Sequence, residues 1–346
     1  MEVTFHFTNS SASQPSPKTQ TTEVYLEWPN IVSGMYILSP DLPAGYSYAR
    51  ACSINQNNVA EEGFARYLNP SETITWDIGY TKTGPWVQVY GGDVYAANTM
   101  SSYVPSTTTP RAFILDGTGG YPGIATYGQS YNLDSSGLTR GQTWVSSKNW
   151  LVNDTASGID FYQLMYRQFG GAPAAVDYTD PSPISQPAAR ATPYYVTGNM
   201  TTSGDWMVGD VTKPGEKLIF IVNGNLTIGG KINTIADGFV AFIVNGNITV
   251  DPSVGVAYTS GVPVVEGIYI TAPSKSFITN TGSAPSTARF VGRGMFVAGN
   301  FTLGRDVGEA GNPTTSSELF IYNPQLLLTM PEAMKKLSVS WQEVAP

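Results

Sequence analysis

The apolar positions of this chain fall into short runs, and one run is written four times. Phe-Ile-Val-Asn-Gly-Asn-Leu-Thr-Ile begins at Phe220 and Phe-Ile-Val-Asn-Gly-Asn-Ile-Thr-Val at Phe242. Looser copies, Tyr-Val-Thr-Gly-Asn-Met-Thr and Phe-Val-Ala-Gly-Asn-Phe-Thr, begin at Tyr195 and Phe296. Their glycines, Gly198, Gly224, Gly246 and Gly299, lie 26, 22 and 53 residues apart. The last interval holds about two repeats, and the apolar stretch Gly267-Ile-Tyr-Ile270 inside it offers the missing strand.

Self-similarity at a period of 20–50 residues is the mark of a solenoid. Each copy reads as a β-branched strand, a Gly-Asn corner and a second short strand, which is one coil of a parallel β-helix. Apolar runs ahead of the glycines suit strands in a covered sheet. The glycines are expected to permit positive φ at the corners. Asn199, Asn225, Asn247 and Asn300 are expected to stack as a ladder that satisfies corner backbone groups. Val222, Val244 and Val297 are expected to point inward. The competing reading is a series of antiparallel hairpins with Gly-Asn turns, which does not require one word four times.

Upstream the period is two. Val3, Phe5 and Phe7 alternate with polar neighbours, as do Val24 and Leu26, and later Ile74, Trp76 and Ile78. With Met35–Leu38 and a turn from Leu42, residues 1–84 read as a small immunoglobulin-like β-sandwich. One helical turn is expected within 57–68. Residues 85–191 read as a mixed β segment with a helix at 159–170, where Phe161, Leu164, Met165 and Phe169 share a face. Asp160 sits at the start of that helix and Gly170 at its end. A Pro/Ala-rich strap runs to Thr192. Residues 192–346 then form the parallel β-helix, closed by a C-terminal cap: a strand at Glu318–Tyr322, a short helix near Pro331–Lys336, and a last strand at Ser338–Glu343. The fold class is all-β.

Composition narrows the function. Of 346 residues, 13% are charged and the net charge is −8, with no basic run, which argues against nucleic acid as a partner. No apolar run approaches a membrane span, so the chain does not insert by itself. The single cysteine, Cys52, excludes an internal disulfide and a zinc cage, and has no adjacent Lys or His to activate it. No signal peptide follows Met1, and a mature or trimmed ectodomain is the expected location class.

Candidate chemistry is sparse. His6 is the only histidine and lies on a polar strand face, far from any acid or nucleophile, so a Ser-His-Asp device is not expected. The solenoid acids are Asp205, Asp210, Glu216, Asp237, Asp251, Glu266, Asp306 and Glu309. Asp205 and Asp306 share a repeat position with Lys231, so Asp205 and Lys231 are expected as a surface ion pair. Asp116-Gly-Thr-Gly-Gly120 lacks the Gly-Lys-Ser/Thr ending of a phosphate loop and reads as a turn. Calcium at Asp116 or Asp134 is a minor alternative. No metal or cofactor is expected. The four Asn-x-Thr matches follow from the repeat and need no glycosylation. Trp86, Tyr90 and the nearby Tyr95 are the candidate ligand-binding residues, as an aromatic platform for sugar rings.

From Trp86 onward the chain resembles predicted surface proteins of candidate-phylum bacteria. The resemblance rests on Trp-Val-Gln-Val-Tyr-Gly-Gly-Asp-Val from Trp86, Leu-Asp-Gly-Thr-Gly-Gly-Tyr-Pro-Gly from Leu115, the word at Phe242, Glu-Leu-Phe-Ile-Tyr-Asn-Pro from Glu318 and the final Trp-Gln-Glu-Val-Ala-Pro. It implies an exported, usually anchored protein with a sandwich ahead of a β-helix and no established activity. The expected function is therefore a non-catalytic cell-surface structural or adhesive protein. Its partner would be a surface glycan or protein, or further copies of itself. A polysaccharide-active or carbohydrate-binding protein, a lyase or hydrolase among them, is the runner-up.

Overall fold

The computed structural model describes residues 2–9, 18–21, 33–40, 46–55, 60–63, 65–102, 104–105, 108, 112–117, 123–132, 137–140, 151–153, 160–171, 173, 175–209, 212–280 and 288–335. Over the described residues the chain is mostly β, with long parallel sheets and four short helices. The expected last strand at Ser338–Glu343 lies outside the described residues.

Residues 2–82 make two antiparallel sheets. One runs Lys18–Thr21, Glu2–Asn9, Gly34–Pro40, Ala65–Leu68, and the other Ala60–Glu62, Tyr46–Asn55, Ile74–Lys82. Tyr36, Leu38 and Leu68 of the first meet Ile74, Trp76 and Ile78 of the second, so alternation in both sequences buries a shared layer. The helical turn expected within 57–68 is replaced by the strands at 60–62 and 65–68.

Among the described residues from Val87 onward every pair of strands is parallel, so the repeats are not antiparallel hairpins. The main sheet reads, in space, Tyr178–Thr179, Tyr194–Thr197, Lys217–Asn223, Phe239–Val244, Val265–Thr271, Phe290–Val297, Glu318–Ile321, Val87–Tyr90, Ala112–Leu115, Gly137–Arg140. Val265–Thr271, which contains Gly267–Ile270, takes the place of the missing repeat. A side sheet stacks Met200–Thr202, Leu226–Ile228, Ile248–Val250, Ser276–Ile278 and Asn300–Thr302. A third row pairs Trp206–Val208 with Ile232–Thr234. The rows enclose one apolar interior. A column of rings runs through it, Tyr194, Phe220, Phe242, Tyr269 and Phe296, with centroids 5.2, 4.9, 5.5 and 5.3 Å apart.

Three expectations are corrected here. The strand at Glu318 is not a cap: it pairs with Phe290–Arg293 on one side and Val87–Tyr90 on the other. The segment 85–140 therefore continues the same sheet as the repeats, and the boundary drawn at 191/192 does not interrupt it. Tyr178–Thr179 and Ile184, in the Pro/Ala-rich stretch, supply the outermost rung at the opposite end. That end is closed by Arg190, which lies 3.7 Å over the Tyr194 ring, grips Asp177 with two 2.6 Å bonds and donates to Pro193 O.

Val297 differs from Val222 and Val244. Phe296 stacks on Tyr269 in the column that contains Phe242, but its corner glycine follows three residues later instead of four. Val297 therefore takes the register of Ile243 and Ile270 and faces the outside of the main sheet. That outer face is covered by α1 (Phe161–Gln168), α3 (Gln325–Thr329) and α4 (Glu332–Lys335), while α2 (Gly308–Gly311) lies beyond the side sheet's last strand in sequence. Asp160 caps α1 by accepting from the Gln163 N–H, and Gly170 and Gly171 end it at positive φ.

The corner glycines also have a different reason from the one expected. Of the four, only Gly198 has positive φ. At Gly224 and Gly246 an added Cβ would overlap the carbonyl oxygens of Gly198 and Gly224, one rung away, and at Gly299 that of Pro273. Glycine is needed because the rungs touch backbone to backbone. The asparagine ladder forms beside them: Asn225 N–H donates to Asn199 Oδ1 at 2.9 Å, Asn247 N–H to Asn225 Oδ1 at 2.9 Å, and Ser276 N–H to Asn247 Oδ1 at 2.9 Å. Asn300 stands outside it, with its side chain on Thr302 and its N–H on Lys275 O.

Gly246→Ala should cost about 2–3 kcal/mol in urea unfolding, because backbone must move to admit the methyl. Gly261→Ala, where a Cβ meets nothing within 4 Å, should stay within about 0.5 kcal/mol. Asn225→Ala, at an exposed ladder position, should fall between them at about 1 kcal/mol. Equal losses at all three positions would contradict the close-stacking account.

Candidate functional site

The aromatic residues singled out in the sequence do not form one platform. Trp86 is 4% exposed, donates its indole N–H to Asn312 O at 2.8 Å, and packs among Phe113, Ile114 and Ala125. It cannot offer a ring face to a ligand. Tyr90 and Tyr95 are 38% and 48% exposed. The side chains of His6 and Cys52 lie outside the described residues. Among the described residues no three His, Cys, Asp or Glu side chains converge as a metal site.

The solenoid acids have mostly structural partners. Asp205 accepts the Lys231 backbone N–H at 2.8 Å, in place of the ion pair expected with its ammonium. Asp306 accepts from Gly308 N–H and Asn312 Nδ2. Asp251 accepts from Ser253, whose hydroxyl and N–H hold its carboxyl below the ordinary range. Glu216 accepts from Gln186 Nε2 and Gly209 N–H.

Glu266 is different. It stands beside Arg293 on adjacent rungs of the main sheet, and each is followed by a glycine with positive φ, Gly267 and Gly294. Those glycines stack so closely that a Cβ on Gly294 would overlap Gly267 O. Glu266 is 3% exposed; its Oε2 accepts from the Thr234 N–H and hydroxyl at 2.7 and 2.8 Å. Its Oε1 meets Arg293 Nη2 at 2.6 Å. A planar guanidinium has five N–H donors, and Arg293 Nε is buried without a hydrogen-bond partner.

Arg293 forms part of a cleft of about 200 Å³ between the main sheet and α3, lined also by Thr234, Asn323, Gln325, Leu326 and Thr329. The lining combines a half-exposed cation, two amides and two threonine hydroxyls. That set can hold a small ligand rich in acceptors, such as a carboxylate or sugar hydroxyls. Among the described residues the cleft's lining holds no carboxylate pair, the requirement for general-acid and nucleophile or base roles on a glycosidic bond. The sequence signal was present: Glu266-Gly and Arg293-Gly interrupt apolar strands with opposite charges. Only the register of the rungs shows that they meet.

A second charged cluster is wholly interior. The Arg305 side chain is fully buried and donates to the carbonyls of Asp251, Pro252, Val254 and Thr279 at 2.6–3.0 Å. It gathers the irregular turn at 251–254, supplying donors to its carbonyl oxygens beside the turn's own Val254 N–H to Asp251 O bond. Arg289 does the same for Ser260 and Ser316, and burial pulls its guanidinium down to about 10. Glu318 Oε1 accepts from the Thr279 hydroxyl and the Arg305 backbone N–H, yet burial pushes its carboxyl up to about 7.

No family model, no curated protein and no solved structure matches this chain.

Glu318 predicts a pH dependence. Its folded-state value lies above the ordinary 4.5. Between the two the folded state binds more protons, so stability falls as pH rises through that window. Its contribution should decline by on the order of 2–3 kcal/mol from pH 4.5 to 7.5. Glu318→Gln should flatten that slope in chemical denaturation. Asp177, lowered by Arg190, acts in the opposite sense: its contribution is present above 3.8 and lost on acidification below it. An unchanged slope in Glu318→Gln would remove Glu318 as its source.

Proposed function

We propose that this protein is a non-catalytic cell-surface component in which a parallel β-helix serves as a rigid stalk and presents an N-terminal β-sandwich. The observation that carries the reading is the single parallel sheet whose ten successive strands run from Tyr178 to Arg140. At about 4.8 Å per strand such a stack is about 43 Å long. Its repeating units are small, polar at the corners and closed at the Tyr178 end by Arg190, as a spacer requires.

The immunoglobulin-like reading of the sandwich is supported by two antiparallel sheets of four and three strands among the described residues, though their order is their own. Recognition is assigned to the Ser-, Thr-, Asn- and Pro-rich sequence stretches 10–17, 56–59 and 102–110, because loops on a rigid scaffold are the usual site of binding. The partner is a surface glycan or protein. An extracellular location fits the resemblance to exported surface proteins of candidate-phylum bacteria and the low charge content. Among the described residues no helix is long and apolar enough to cross a membrane.

One observation favours a second reading, carbohydrate binding on the stalk itself: Arg293, whose Nε has no hydrogen-bond partner, lines the cleft with two amide side chains. The two readings separate on the full chain. Incubate it with cell-wall preparations and with neutral and acidic glycans, and measure retention and product release. The stalk reading expects no product release, retention that depends weakly on salt, and no change in Arg293→Lys, which keeps the charge beside Glu266 but loses the fork. A fivefold or greater loss of glycan retention in Arg293→Lys supports the cleft. Reproducible product release, abolished by Glu266→Gln, would overturn the non-catalytic assignment.

A further inference from the structure

The rungs of the main sheet align their residues in columns, and one column joins two features that stand far apart in the sequence. Glu266 pairs with Arg293, Arg293 with Ile321, Ile321 with Tyr90, and Tyr90 with Leu115. Register partners in a parallel sheet leave it on the same face. Arg293 lines the cleft between the main sheet and α3, so Tyr90 stands on that same outer face, two rungs further along. At about 4.8 Å per rung the two are about 10 Å apart. Ile321 and Leu115, the column neighbours of Tyr90, are half-buried, while Tyr90 itself is 38% exposed. Of Trp86, Tyr90 and Tyr95, only Tyr90 belongs to this column.

Most polar groups of the cleft retain bonding capacity. Arg293 gives Nη2 to Glu266 at 2.6 Å, and its Nε has no partner. Asn323 Oδ1 accepts the Gln325 N–H at 3.1 Å, which leaves the amide N–H groups of Asn323 over. Among the described residues the Gln325 side chain makes no hydrogen bond. Thr234 donates its hydroxyl to Glu266 Oε2 and Thr329 donates to Gln325 O, and both oxygens keep lone pairs to accept with. The turn that carries Ala236 and Gly238 is fixed by its backbone. Ile235 N–H donates to Val208 O and Gly238 N–H to Ile235 O, both at 2.9 Å, and Ala236 is held at a φ of 49°. A cleft formed in advance needs little ordering when a ligand enters.

These groups favour hydroxyls over an anion. Among the described residues Arg293 is the only charged one in the lining, and its charge is matched by Glu266, which is 3% exposed. An entering carboxylate would be drawn to one and repelled by the other. It would also only accept, whereas the Gln325 and threonine oxygens call for donors. A sugar hydroxyl does both. The volume of about 200 Å³ is that of roughly seven waters, room for one sugar ring and not for a chain. A further ring must lie outside the cleft, where Tyr90 offers aromatic surface.

We propose that the Arg293 cleft and Tyr90 are two halves of one binding site for a neutral oligosaccharide. One sugar ring bonds to Arg293, Asn323 and Gln325, and a ring further along the ligand packs on Tyr90. The inference rests on carbohydrate binding by the stalk, and adds the extent of the site and its preference for uncharged sugars.

Titration of the full chain tests it, with cellotetraose, mannotetraose, chitotetraose and tetragalacturonate as probes, and with the monosaccharide of any neutral probe that binds. At least one neutral tetrasaccharide should bind, with an affinity almost independent of salt. Gln325→Ala and Tyr90→Ala, both at exposed positions, should each weaken it about fivefold. Monosaccharide binding, followed by NMR, should weaken in Gln325→Ala and stay unchanged in Tyr90→Ala. Failure of all three neutral tetrasaccharides to bind overturns both the site and carbohydrate binding by the stalk. Tetrasaccharide binding that neither variant alters places the sugar elsewhere and overturns the site alone. Loss in Gln325→Ala without loss in Tyr90→Ala confines the ligand to the cleft and overturns the two-part site. Preferential binding of tetragalacturonate that collapses with salt overturns the neutral ligand class.

Discussion

The structure depends on how closely one rung can lie on the next. Strands in a sheet sit about 4.8 Å apart, and a corner that turns between two sheets must keep that spacing while its backbone bends. At Gly224, Gly230, Gly246 and Gly299 the neighbouring carbonyl occupies the place where a Cβ would stand. Once the corners close to this distance, the rest follows. Rings in the interior stack one per rung, and asparagine side chains reach the next corner's N–H. Charged residues on facing strands meet at contact distance, as Glu266 and Arg293 do.

Where the corner is irregular, the protein substitutes side-chain donors for backbone ones. At the turn 251–254 the Arg305 side chain donates to three carbonyls, those of Asp251, Pro252 and Val254, and it donates to Thr279 O as well. A guanidinium suits this use because its donors form a fixed planar fan and its charge persists even when burial lowers its proton affinity. Glu318 beside it has no such tolerance, and its proton affinity rises.

Much of this was legible in the residues. Phe220 and Phe242 are aligned by an identical word, and the word correctly marks parallel neighbours. The corner asparagines of three copies join as the repeat implies. What the word could not show was anything set by register or by distant order. Val297 obeys the motif Val-x-Gly but lies one residue out of phase, because the corner ahead of Gly299 is shorter. Glu318–Ile321 looked terminal because it follows the last repeat, although its partners include Val87–Tyr90. The cleft was invisible for the same reason: Glu266 and Arg293 are 27 residues apart and meet only when two rungs stack in register. Trp86 was misread because its partner, Asn312, is 226 residues away.

That last separation also sets the order in which the molecule can be made. The strands at Val87, Ala112 and Gly137 emerge from the ribosome first, and they end against a surface that does not yet exist. Their neighbour on one side, Glu318–Ile321, is synthesised long after them. Closing a loop of this length carries an entropic cost that local contacts cannot offset early, and non-local parallel pairing is intrinsically slow. Until the seam between Ile321 and Tyr90 forms, the chain holds two half-stacks, each with a bare sheet edge. The slowest step in its maturation is then the meeting of the two halves, and the nascent chain needs protection from other edges for as long as that takes.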